Sequence, residues 1–144
     1  MIDVSNIVYT LIKNKLDSEL GVGAYKMSSE FVQRPAKVPF VWVQETNNFS
    51  VNNDNTNTEN YIVNTYVIRV YSNKLSGRKA EALQITGYVD DVMRTINFTR
   101  IASLMDKNPS AGTVYTNDTH DENIFGWITQ YEGVVGKDHT FYRR

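Results

Sequence analysis

Residues 38–71 read VPFVWVQETNNFSVNNDNTNTENYIVNTYVIRVY, two runs rich in β-branched and aromatic side chains on either side of a polar stretch, Asn47 to Asn60. Apolar runs bounded this way predict two strands joined as a β-hairpin. Hairpin loops usually need only about two to five residues, so a tip this long and polar is expected to project and to make contacts. Phe49, Val51 and Asn53 in the insert, with Tyr61 and Val63 just after it, are the candidate contact residues. The second run, Tyr61 to Tyr71, is apolar on both faces: Ile62, Tyr66, Ile68 and Val70 on one, Tyr61, Val63 and Val67 on the other. A strand apolar on both faces is normally covered on both, and the second cover is expected to be another subunit.

Outward from the hairpin, Val4 to Leu20 places Ile7, Val8, Leu11, Ile12 and Leu16 at helical spacing, with Asp3 or Ser5 as N-cap and Gly21 and Gly23 as the stop. Ala24 to Phe31 alternates loosely as a short strand, and Pro39 suits the head of the strand Phe40 to Gln44. Lys79 to Asn97 is the strongest helical pattern, through Leu83, Ile85, Val89, Val92, Met93 and Ile96. Ile101 to Leu104 and Ile124 to Val135 read as strands, the latter with Phe125, Trp127 and Tyr131 on one side and Ile128 and Val134 on the other. This order predicts an α+β fold: a mostly antiparallel sheet of four to five strands, two helices packed on one face, a long projecting hairpin loop and a C-terminal arm. Residues 1–135 form the single domain and 136–144 the arm. Phe141, Tyr142, Arg143 and Arg144 are either a free chain end or an arm docking on a neighbour, since aromatic and Arg side chains are enriched in interface cores.

The chain has 144 residues, with 15 Lys plus Arg against 16 Asp plus Glu and a net charge of -1, a balance that disfavours duplex binding by counterion release. Cysteine is absent, which excludes disulfides and thiolate chemistry. The opening MIDVSNIVYTLIKNKL lacks a basic start and a continuous apolar core, so synthesis in the cytoplasm and no membrane association are expected. His120 and His139 are the two histidines, and neither has a helical ligand partner. Asp118, His120, Asp121 and Glu122 form the nearest approach to a metal-ligand string; a solvated acidic loop explains them more simply. Asp90 and Asp91 are adjacent, point to different helix faces, and make a poor acid/base pair, whereas Asp90 and Arg94 are an i, i+4 ion pair. No nucleophile elbow, phosphate loop or dinucleotide fingerprint occurs, so neither catalysis nor a cofactor is expected.

The central block carries a resemblance. V-P-F-V-W-V (Val38 to Val43) precedes the polar loop, and I-R-V-Y-S-N (Ile68 to Asn73) ends the next strand. G-R-K-A-E-A (Gly77 to Ala82) opens a helix that runs to V-M-R-T-I-N-F-T-R (Val92 to Arg100), and a last strand holds Trp127 and ends Tyr-Glu-Gly at Gly133. In order and wording this resembles the tail terminator, or tail-to-head joining, proteins of long-tailed bacteriophages, over about Val4 to Val135. The resemblance implies a virion protein without catalysis, assembled in the bacterial cytoplasm. Such a protein forms a hexameric ring on the tail tube, ends its polymerisation and docks to a head-completion or stopper protein. DNA would pass through the ring without sequence-specific binding. Glu45, Asp54 and Glu59 are lumen acids if the hairpin loop faces inward, and adhesive groups if it faces the tube. A head-completion adaptor or stopper is the alternative within the same setting. A small metal-dependent hydrolase or nucleic-acid-processing factor using Asp118, His120 and Asp121 is the alternative outside it.

Overall fold

The computed structural model describes residues 2–29, 39–51, 61–72, 77–106 and 125–142. In chain order they form α1 (Ser5–Leu20), β1 (Lys26–Ser28), β2 (Phe40–Val51), β3 (Tyr61–Ser72), α2 (Arg78–Thr95), β4 (Thr99–Asp106), β5 (Phe125–Gly136) and β6 (Phe141–Tyr142). The fold is α+β, with both helices on one face of a sheet ordered β1-β2-β3-β5-β4. All pairs are antiparallel except β1 with β2.

The helices follow their apolar spacing. Val4, Val8, Ile12 and Leu16 recur every fourth residue and are fully buried, which turns Ile7 outward. Asp3 accepts hydrogen bonds from the Ser5 backbone N–H (2.9 Å) and hydroxyl (2.7 Å) at the start of α1, and these bonds hold its carboxyl below the usual range. Gly21, at φ 101°, ends the helix in a conformation that L side chains rarely adopt. On α2 the buried stripe is Ala82, Ile85, Thr86, Val89, Val92 and Met93, so Leu83 lies outside it and is exposed. The Thr86 hydroxyl donates to the Ala82 carbonyl at 2.8 Å and is satisfied inside the core.

Strand β3 is the centre of the sheet. Ile62, Tyr66, Ile68 and Val70 face the helices with Val41, Val43, Tyr131 and Val135, while Tyr61, Val63 and Val67 lie on the opposite face. Two expectations change. The hairpin ladder continues through Phe49↔Val63 and Val51↔Tyr61, so residues 47–51 belong to the strand and not to the tip. Alternation of Phe49 and Val51 with polar residues sustains the pleat there. The C-terminal segment does not leave the domain as an arm. A turn closed by Gly136 N–H to the Thr140 carbonyl (2.8 Å) returns β6 along β5, beside the stretch that β4 pairs. This adds a sixth strand to the four or five expected.

Candidate interaction surface

Directly opposed residues in a sheet share a face, so the register assigns the residues on the side opposite α1 and α2. At its hairpin end one row crosses four strands: Phe49, Val63, Val134 and Tyr142. With strands about 4.8 Å apart, the row is roughly 14 Å long. Phe49 is 60% exposed and Tyr142 47%, while Val63, Val134 and the next residue in line, Tyr61, are half-buried. A Cβ on Gly136 would meet the Tyr142 ring at 2.6 Å, so that ring lies across the glycine. Exposed apolar side chains grouped in this way form an adhesive terrace.

Away from the terrace the same face is closed. Phe40, Trp42 and Tyr71 are buried. The Arg69 guanidinium stacks on the Trp42 ring at 4.7 Å and donates to the Gln44 side-chain oxygen at 2.7 Å. The Tyr71 hydroxyl donates to Asp106 at 3.0 Å. These contacts fix the buried aromatic side chains of this part of the face in place.

A second exposed apolar group was not anticipated. Strand β4 pairs only with β5 among the described strands, and Ile101 (49% exposed), Leu104 (49%) and Met105 (44%) project from it. A register shift between Arg100 and Ala102 makes Ile101 the extra residue of a bulge. The sequence TRIASLMD has neither the alternation of a half-buried strand nor the Lys or Pro that often protects an edge, and that absence was its signal.

The polar chemistry on the helix face holds the fold. A cleft of about 420 Å³ between α1 and β2 is lined by Ser5, Tyr9, Glu45 and Tyr66 among others. Ser5 donates to Asp3, Tyr9 to the Met27 carbonyl and Tyr66 to Glu45, so each hydroxyl proton is already engaged. Burial, then the Glu45 charge, pushes the Tyr66 phenol far up, which keeps it protonated well into the alkaline range. Asn64, fully buried, donates to Glu45 (2.8 Å) and to the Asn47 carbonyl (2.9 Å), bridging the bulge of β2 between those residues. Asp90 accepts from the Tyr131 hydroxyl (3.1 Å) and pairs with Arg94 (3.3 Å) and Arg100 (3.7 Å), which includes the expected i, i+4 ion pair.

Of the anticipated contact residues, Phe49, Tyr61, Val63 and Tyr142 come together on the terrace, and Val51 stands in register with Tyr61. Phe141 does not join them: it faces the helices, edge-on to Phe98 with ring centroids 6.0 Å apart. Asn53, Arg143 and Arg144 lie outside the described residues, as do Asp54, Glu59, Asp118, His120, Asp121 and Glu122. Glu45 is on β2, exposed, on the helix side of the sheet. Among the described residues no group of three or more His, Cys, Asp or Glu converges as a metal site, and no helix is long and apolar enough to cross a membrane. No family model matches the chain, and no curated protein matches it in sequence.

Proposed function

We propose that this chain is a structural ring subunit of a long-tailed bacteriophage virion. The ring sits at the head-proximal end of the tail tube, ends tube polymerisation and joins the tail to the head-completion protein. The observation that carries this reading is the terrace. One sheet face presents Phe49, Tyr61, Val63, Val134 and Tyr142 together, beside a hairpin whose tip is long and polar in sequence. Burying one half-exposed aromatic side chain contributes on the order of 1–2 kcal/mol, so a few such residues sustain a protein contact without any catalytic group. The near-neutral charge of -1 suits a ring through which DNA slides without being gripped.

The test is to mix the purified protein with short tail tubes and image them by negative-stain electron microscopy. Caps on one end of the tubes, and a halt to further growth, are the expected result. Tubes that keep growing with both ends bare contradict the reading. The variant Phe49→Asp with Tyr142→Asp, folded by circular dichroism, should cap at least about tenfold less well if the terrace is the adhesive surface.

A further inference from the structure

The two edges of the sheet carry opposite charges in the same rows. Following the register across the helix face, Glu45 opposes Tyr66, Tyr66 opposes Tyr131, and Tyr131 opposes Arg100. One row thus begins with an exposed carboxylate on β2 and ends with an exposed guanidinium on β4. On the other face, Lys26 opposes Phe40, then come Tyr71, Gly126 and Asp106. That row begins with a cation on β1 and ends with an anion on β4. Each edge therefore holds the counter-charges of the other, at matching levels and on matching faces.

We infer that copies of this chain join head to tail by laying the outer edge of β4 against the β1 and β2 edge of the next copy. The contact rests on the ring reading above and names the surfaces that close it. β1 and β2 run antiparallel to β4, so the added neighbour continues the antiparallel sheet by main-chain pairing. Asp106 directly opposes Lys26 on β1, while Arg100, level with Glu45 but beyond the end of β1, reaches that carboxylate of the next copy across one further strand spacing of about 4.8 Å, within the combined length of the two side chains. Leu104 falls beside Ser28 and Met105 beside Met27, which covers two of the three exposed apolar residues of β4. A heterologous contact of this kind generates a ring when the rotation closes.

The symmetric alternative, β4 against β4 of a second copy about Ser103, also opposes Arg100 to Asp106. The bulge at Ile101, however, puts Arg100 on the helix face with Tyr131 and Asp106 on the opposite face with Gly126. Directly opposed residues must share a face, so those charges would point away from each other.

The test uses charge reversal and mixing. Arg100→Glu and Glu45→Arg should each weaken assembly by about tenfold or more in concentration, because like charges are then juxtaposed. The double variant should regain it. An equimolar mixture of the two single variants should also assemble, as alternating subunits, because each variant keeps one intact edge and presents the reversed charge that its neighbour's altered edge requires. Single variants that assemble like the wild type overturn the contact, whether or not tubes are capped, as does a folded double variant that stays dispersed. Since the chain has no cysteine, Ser28→Cys and Leu104→Cys provide a check independent of charge. A mixture of the two should form a disulfide dimer under mild oxidation that neither forms alone. Cross-linking of Leu104→Cys with itself, or no mixed dimer, overturns the contact too, and a wild-type protein that never associates counts with these.

Discussion

Individual residues here divide into those that fill space and those that hold a proton or a charge in place. Gly133 belongs to the first group. A Cβ there would meet the Phe98 ring at 2.6 Å, and Phe98 is itself wedged between Tyr66 and Phe141. Gly133→Ala should lower stability by about 1–3 kcal/mol in urea unfolding. Gly136→Ala meets only the half-exposed Tyr142 ring and should cost less than half as much. The tyrosines belong to the second group. Tyr25, Tyr66 and Tyr131 are held far above the usual phenol value of 10.0, first by burial and then by Asp17, Glu45 and Asp90. Their pKa is raised in the folded state, so the stability they contribute is whole below pH 10 and is lost as pH rises toward the folded values. The urea midpoint should be flat from about pH 8 to 9.5 and fall above about 10, with the phenolate absorbance of these three tyrosines appearing together with unfolding. Phenolate signal from all nine tyrosines in the still-folded protein would contradict this.

At the scale of elements, much was legible in the sequence, because apolar periodicity reports which face is buried. The inward and outward sets of β3 and β5 came from alternation alone, and Val8, Ile12 and Leu16 came from helical spacing. What was illegible depended on partners distant in sequence. Leu83 fits the periodic pattern, but the inner face of α2 is taken by Ala82 and Thr86, whose fit depends on the strands beneath. The return of β6 required knowing that Phe141 fits beside Phe98 and that Asn97 donates to the Phe141 carbonyl at 3.1 Å. Asn97 also ends α2: at φ 64° it takes the left-handed position, with Asn97 N–H to the Arg94 carbonyl and Phe98 N–H to that of Met93. Asn97→Ala loses both the favoured left-handed residue and the bond to β6. It should cost about 1–2 kcal/mol and loosen the C-terminal strand, read as faster amide exchange at residues 141–142.

Taken together, the described residues form a sheet with one face packed by helices, the other carrying a terrace, and two edges of complementary charge. The terrace was half-visible in the sequence: the apolar residues on both sides of Tyr61 to Tyr71 predict a second cover, and the structure gathers Phe49, Tyr61, Val63 and Tyr142 on that side. The edges were invisible, because matching Glu45 with Arg100 requires the register of four strands. Removing Asn52 to Thr58 should leave the monomer's melting temperature within a few degrees of the wild type, because loop length costs little, while abolishing tube capping. Retained capping would assign the grip to the terrace alone.

The most direct measurement is the native mass of the wild-type protein across a hundredfold range of concentration, by mass photometry or light scattering. A closed species of about six subunits that stops growing as concentration rises is the expected result, since head-to-tail edges close when the rotation fits. A monomer throughout, or a dimer that goes no further, would contradict the ring.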